Sequence, residues 1–160
     1  MKVICISDTH ADGMGKLPAA LYDALKTADL ILHAGDIISP SVIEELKAIA
    51  PVEAVAGNMD GWDISNHHPD KKVVEAGGFR IGITHGAGRV TNIEERVLAI
   101  FENDNVDCIV FGHSHNPVVT WHGRVLLVNP GSPTDKRWAP YNSYAVLEIT
   151  DKITAEIVRL

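Results

Sequence analysis

The sequence predicts an α/β fold with helices outside two strand-rich layers. Three observations carry that expectation. The first third of the 160-residue chain alternates short apolar runs with amphipathic stretches in the order β-α-β-α-β, a pattern that makes a parallel sheet with crossover helices. The C-terminal half is mainly paired apolar runs around tight-turn residues, which read as hairpins. No linker, internal repeat or low-complexity stretch separates the halves, so residues 1–160 read as one domain. That length buries a core without disulfides or a structural metal.

Lys2 to Ser7 is a short apolar run and reads as a buried strand. Leu17, Leu21 and Leu25 recur every four residues, which predicts a helix from Leu17 to Lys26 with one apolar stripe. Asp29 to His33 is the second strand. Ser39 suits the cap, and Pro40 the first turn, of a helix running through Val42, Ile43 and Leu46 to about Ala50. Pro51 to Ala56 is the third strand, and the polar, irregular stretch Gly61 to Pro69 reads as a surface loop. Gly77-Gly78 joins Lys72–Ala76 to Phe79–Thr84 as a two-residue hairpin turn. Ile93, Val97, Ile100 and Phe101 mark a helix from Ile93 to Phe101, followed by a strand from Asp107 to Phe111. Pro117–Trp121 and Arg124–Val128 flank His122-Gly123 as another hairpin, and Tyr144–Ile149 and Ile153–Val158 turn at Asp151-Lys152.

The net charge of −7 argues against non-specific nucleic-acid binding, which needs a basic footprint. It does not exclude a phosphorylated substrate, because bound metal reverses the sign locally. Cys5 and Cys108, the only cysteines, sit in apolar runs and read as buried strand residues. No disulfide framework is implied, which suits a reducing compartment. No leader pattern and no apolar run of membrane-spanning length is present, so a cytoplasmic location and no membrane are expected.

Five polar clusters follow the expected strands: Asp8-Thr9-His10, Gly35-Asp36, Gly57-Asn58, Thr84-His85-Gly86 and Gly112-His113-Ser114-His115. The carboxyl ends of strands are where open α/β sheets build their sites. Asp8 and His10 are two apart, as are His113 and His115, so on extended backbone each pair points to one side. The four glycines let the backbone turn beside the ligands. Each cluster alone is a common turn motif; the information lies in their order and their shared position.

This series resembles the calcineurin-like metallophosphoesterase superfamily over nearly the whole chain. Asn129-Pro130-Gly131-Ser132, with Ser143 to Glu148 after it, is similar to the C-terminal part of the small YfcE-like phosphodiesterase branch. The resemblance implies a four-layer α/β/β/α sandwich of two mixed sheets flanked by helices. It implies one divalent transition metal held by Asp8, His10, Asp36 and His115, and a second held by Asp36, Asn58, His85 and His113, with Asp36 between them. Asp36, Asn58, His10 and His113 are the residues it places at the reaction. The implied activity is metal-dependent hydrolysis of a phosphodiester by a hydroxide bridging the two ions. Two metals about 3.5–4 Å apart clamp both the attacking and the leaving oxygen of such a displacement. With only two carboxylates among the ligands, the loaded site keeps a net positive charge, which attracts a phosphodiester anion. A nitrogen and oxygen set without thiolate suits Mn, Fe, Zn, Ni or Co, with Mn favoured.

Met59 departs from the family pattern, in which a histidine follows the Gly-Asn pair and serves the leaving group. A thioether cannot donate a proton, so alkyl monoesters are expected to be poor substrates. His33, three before Asp36, could orient the site or be a satisfied strand-end histidine. His67 and His68 in the loop could touch substrate, and Arg89 could reach a phosphate or lie at the surface. Trp62, Trp138 and Tyr141 could stack on a nucleobase, pack a lid or form a subunit contact; Asp12 and His122 read as solvated loop residues. A small phosphodiester is the expected partner, and a homodimer could form. The competing readings are a phosphomonoesterase or nucleotidase, and a non-catalytic scaffold like the small retromer subunit. The complete ligand set favours an enzyme.

Overall fold

The computed structural model describes residues 1–160. In chain order the elements are β1 (Lys2–Ile6), α1 (Ala19–Leu25), β2 (Leu30–His33), α2 (Pro40–Lys47), β3 (Val52–Ala54), α3 (Trp62–Ser65) and β4 (Lys71–Ala76). There follow β5 (Phe79–Thr84), α4 (Ile93–Ile100), β6 (Cys108–Phe111), β7 (Val118–His122), β8 (Val125–Asn129), β9 (Ser143–Ile149) and β10 (Ile153–Arg159). They form two five-stranded sheets, ordered β10-β9-β1-β2-β3 and β4-β5-β6-β8-β7. Both are mixed. In the first, β1, β2 and β3 are parallel and β9 is antiparallel to β1 and β10. In the second, β5, β6 and β8 are parallel between antiparallel edges β4 and β7.

The period of two along each strand builds the layers. Val3, Cys5, Leu30 and Leu32 of the first sheet meet Ile81, Ile83, Cys108 and Val110 of the second in one core between the sheets. The alternate residues Ile4, Ile6 and Ile31 face Leu21, Leu25, Val42 and Leu46 on α1 and α2. Ile109 and Phe111 turn outward to Val97 of α4. The result is the expected α/β/β/α sandwich. Both cysteines are buried and unpaired, as expected from their apolar runs. No helix is long and apolar enough to cross a membrane.

Several local expectations shift. The first helix begins at Ala19 rather than Leu17, because Leu17 precedes Pro18 and is held extended at φ −80°, ψ 145°. A 3₁₀ turn at Met14–Lys16 occupies the space before it. The stretch expected as a plain loop contains α3, a single turn pinned by the buried Ile64 in the helix-side core. The Gly77-Gly78 turn has φ of 56° and 86°, the paired positive values of a type I′ hairpin. The β7–β8 turn falls one residue later than expected, because His122 pairs with Val125.

Candidate metal centre

Every polar cluster lies beyond the end of a parallel strand, and the two sheets bring their strand ends to one patch. Asp8 Oδ1 lies 3.1 Å from His115 Nε2. His10 Nε2 lies 3.8 Å from Asp36 Oδ2 and 4.0 Å from Asp8 Oδ1. Asp36 Oδ1 lies 3.4 Å from His85 Nε2, and Asn58 Oδ1 lies 3.1 Å from the same nitrogen. Two groups of donor atoms are close enough to share a cation: Asp8, His10 and His115, and Asp8, Asp36 and His85. Asp8 belongs to both. Asp36 spans them differently, with Oδ1 toward His85 and Oδ2 toward His10. His113 stands outside both groups, with its ring edge-on to His85 at 5.2 Å between centroids.

The backbone that does this is not the extended backbone the residue spacing suggested. Asp8, His10, Asp36, His113 and His115 have φ of 53°, 42°, 55°, 68° and 56°. All five are left-handed, a conformation non-glycine residues rarely adopt. The side chains converge because tight turns throw them inward, and the alternation of a strand plays no part. Such strain persists only where surrounding contacts over-determine it. Here Asp8 N–H donates to Gly35 O at 2.9 Å and His10 N–H to Asp36 O at 3.2 Å. His113 N–H donates to Asp8 Oδ2 at 3.0 Å. Gly57 and Gly112 serve close approach rather than turning: a Cβ on Gly57 would fall 2.2 Å from Asp36 Oδ1, and one on Gly112 would fall 1.9 Å from Ser7 Oγ.

Backbone carbonyls set the histidine tautomers. A carbonyl only accepts, so the ring nitrogen facing it carries the proton. His85 Nδ1–H donates to Ala34 O at 2.8 Å, and His115 Nδ1–H donates to Asp135 O. Each neutral ring then turns an Nε2 lone pair inward. His113 is reversed: Nε2–H donates to Gly88 O at 2.6 Å, which leaves Nδ1 free. The inward atoms are therefore mostly acceptors facing acceptors, and Asp8 Oδ1 is buried without a hydrogen-bond donor. Burial pushes the Asp8 carboxyl up, but the adjacent His115 and His85 rings outweigh it, leaving the group below its ordinary range. Asp36 is lowered likewise, with the His85 contacts overcoming burial. Burial lowers His85 and His115 less than their contacts to Asp36 and Asp8 raise them, so both are net raised. For His10, burial wins and the ring is lowered.

Some supporting residues were not legible as such. Asp60 accepts from three backbone N–H groups at 2.7 Å, those of Ile37, Ile38 and Gly57. It ties the Asp36 loop to the Asn58 loop. The loop after β8 is a sixth strand-end cluster: Asn129 Nδ2 donates to Gly112 O at 2.8 Å, and Ser132 Oγ donates to Asp8 O at 2.7 Å. The rule that exposed the other five, an apolar run ending in polar residues, applies equally to Val125–Asn129. His33 is buried, with Nε2 3.1 Å from Thr9 Oγ1, and so steadies the Asp8–His10 turn. Met59 is largely exposed, and its N–H donates to Asp36 Oδ1 at 2.8 Å. His67 Nδ1 is taken by Asp63 O at 2.8 Å.

Comparison with known proteins gives a consistent result. A family model described as "Calcineurin-like phosphoesterase superfamily domain" matches residues 1–152. A protein of Methanothermobacter thermautotrophicus named "Probable metallophosphoesterase" is 38% identical over 162 residues, covering 99% of this chain and 92% of its own. A solved structure titled "Structural and Functional Characterization of a Novel Archaeal Phosphodiesterase" is 25% identical, covers 100% of both chains and has a TM-score of 0.79. Wild-type Vps29 complexed with Zn from Entamoeba histolytica is 24% identical over 99% of both chains, with a TM-score of 0.79; at that identity the likeness shows the fold alone.

Proposed function

The chain belongs to the calcineurin-like phosphoesterase superfamily of metal-dependent hydrolases, and from that premise we propose that it hydrolyses small phosphodiesters with two divalent cations. Asp8, His10, Asp36, Asn58, His85, His113 and His115 hold them. The observation that carries this reading is the convergence of carboxylate oxygens and imidazole nitrogens on one small volume. Asp8 Oδ1 is buried and without a donor, His115 Nε2 and His10 Nε2 face one another at 3.3 Å, and His85 Nε2 faces two oxygens. Inward acceptors of this kind suit cations, and mixed nitrogen and oxygen ligands suit Mn, Fe, Zn, Ni or Co, of which Mn is favoured. When bound, the cation pair supplies Lewis-acid charge and a water acidic enough to attack near neutral pH.

The chain's own residues do the rest. Ala34, Gly88 and Asp135 hold the ring protons of His85, His113 and His115 away from the site. Asp36 presents one oxygen to each side, with Met59 N–H fixing its rotamer. His10 is open at 19% exposure, against 0–3% for Asp8, Asp36, His85 and His115. That openness suits it, with Asn58 and His113, to touching the phosphoryl group.

A cavity of about 290 Å³ is lined by Asn58 and His85, and a second of about 600 Å³ is lined by Ser114, which stands between His113 and His115, with Asn116 and Arg137. A diester has two arms to place and a monoester one, so the paired cavities favour the diester. The archaeal neighbour, itself called a phosphodiesterase, supports the same choice. The test compares bis(p-nitrophenyl) phosphate with p-nitrophenyl phosphate on Mn-reconstituted protein. The diester is expected to turn over at least about tenfold faster, since only its second arm gains binding energy from the further cavity. Turnover that survives a chelator, or a monoester rate equal to the diester rate, would sink the reading.

A further inference from the structure

The 600 Å³ cavity lies between the N-terminal end of α4 and the loop after β8. Its floor is apolar, formed by Phe111 and Ile93 of the outer core. Its volume is that of a small-molecule site. Its rim carries an aromatic residue with no packing of its own: Trp138 is 99% exposed. The backbone that carries this indole is tied to the metal centre through a short chain of contacts. Asp135 takes the His115 Nδ1 proton on its carbonyl, and its carboxylate lies 3.6 Å from Arg137 Nε. Arg137 N–H donates to Asp135 Oδ1 at 3.1 Å, which steadies Arg137 at φ 47°. Trp138 is the next residue. The opposite wall is braced as well, because Arg96 donates to Gly86 O at 2.9 Å and to Arg89 O at 2.7 Å.

The charges in this cavity are sorted. Arg137 pairs with Asp135 behind the outer nitrogen of His115, and its charge acts on the rings of both His115 and the more open His10. Glu94 and Glu95 line the α4 wall. A second phosphate or any other anion would meet those carboxylates. A neutral group bearing amino and hydroxyl donors would find acceptors there, and a flat ring would find the exposed indole face. A plain alkyl chain matches neither.

We propose that this cavity receives a nucleoside, stacked on Trp138, as one ester arm of the phosphodiester. The proposal rests on the phosphodiesterase reading and names its substrate class. Stacking of a base on an aromatic side chain is sequence-tolerant, so Trp138 selects for a base without selecting which one. Arg137 bonds the phosphate, and the carboxylates of Glu94 and Glu95 accept from the ribose hydroxyls or the exocyclic amine.

The experiment uses Mn-reconstituted protein and two probes, adenosine 5′-monophosphate and ribose 5-phosphate, titrated by calorimetry. Both carry the same phosphate and only one carries a base. The nucleotide is expected to bind about 5- to 100-fold tighter. Trp138→Ala should bring nucleotide affinity down to that of ribose 5-phosphate while leaving ribose 5-phosphate affinity where it was. Trp138→Phe should keep most of the preference. Because Trp138 is fully exposed, its removal should leave the urea midpoint unchanged. Equal affinity of the two probes for the wild type overturns the nucleoside arm and leaves the phosphoesterase reading standing, as does a preference that survives Trp138→Ala. Failure of both probes to bind the metal-loaded protein overturns the phosphate site itself, and the nucleoside arm with it.

Discussion

His10 Nε2 and His115 Nε2 face one another at 3.3 Å, although the proton of His115 is already held by Asp135 O at the far side of its ring. The two imidazole nitrogens and the buried Asp8 Oδ1 thus meet at a common point. The first expectation concerns this point. His115→Ala should lower metal content from about two ions per chain toward about one, as read by elemental analysis after dialysis. Asp8→Asn and Asp36→Asn should each deplete both ions, because each carboxylate reaches both donor groups. Full metal content in Asp36→Asn would contradict a shared carboxylate.

Asp60 offers a test of how the site is held. Its carboxylate accepts three backbone N–H groups from two loops, one of them from Ile38, a β-branched residue at φ 79°. Hydrogen bonds to charged groups contribute about 1.5–3 kcal/mol each when partners are left unpaired, discounted here because the group is only partly buried. Asp60→Ala is expected to lose roughly 3 kcal/mol of stability by urea denaturation. It should also weaken metal binding about 10–100-fold, as loss of an outer support does. Unchanged metal affinity would reduce Asp60 to a loop fastener.

His33 predicts a pH dependence of the metal-free protein. Burial lowers it from 6.5 to about 3. Asp8 and Asp36 pull its pKa back up, and His85 and His68 push it further down. Between pH 6.5 and about 3 the unfolded chain binds a proton at His33 that the folded chain excludes, so stability falls as pH falls through that window. The slope from this one site is at most about 1.4 kcal/mol per pH unit. The depressed Asp8 and Asp36 add loss at lower pH still. His85 and His115 are raised, so their contribution is complete below 6.5 and fades as pH climbs through their folded values. His33→Gln should flatten the acid limb in chelator-treated protein. An unaltered slope would mean that the carboxylates alone set it.

Met59 bears on the leaving group. Its side chain is 56% exposed and cannot give a proton. General-acid help is worth about 10²–10⁴-fold, so rates on a series of aryl and alkyl diesters should fall steeply as leaving-group pKa rises. Met59→His should make that dependence shallower. If the wild type is already flat with chemistry rate-limiting, another group is the acid. His33 is not that group, because it is buried and neutral; His10 is the histidine that remains at the opening.

The strands were legible because their alternating apolar residues serve two cores at once, as Val3 and Cys5 do on one face of β1 and Ile4 and Ile6 on the other. The site residues were legible because ligand types cluster where such runs end. Sheet order was not. Nothing local indicates that β9 returns to lie beside β1, or that β8 slips between β6 and β7. The left-handed turns at Asp8, Asp36 and His113 were hidden as well, because the positions themselves are not glycine and they are stabilised by partners far away in the chain. The roles of Asp60, Asn129 and Ser132 were hidden for the same reason: each bonds a distant backbone group, and backbone groups carry no residue identity.

Those distant bonds govern when the site comes into being during synthesis. Asp8 is made long before Ser132, yet its carbonyl waits for that hydroxyl. Its strand waits for β9, where Ile4 pairs with Val146. A domain generally folds as a unit, and contacts this far apart in sequence form late. A nascent chain therefore exposes Asp8, His10 and Asp36 as scattered, weak ligands, and the full set closes only after β9 has left the exit tunnel. Metal capture is thereby coupled to synthesis of β9, and a product truncated before that strand would remain an apoprotein.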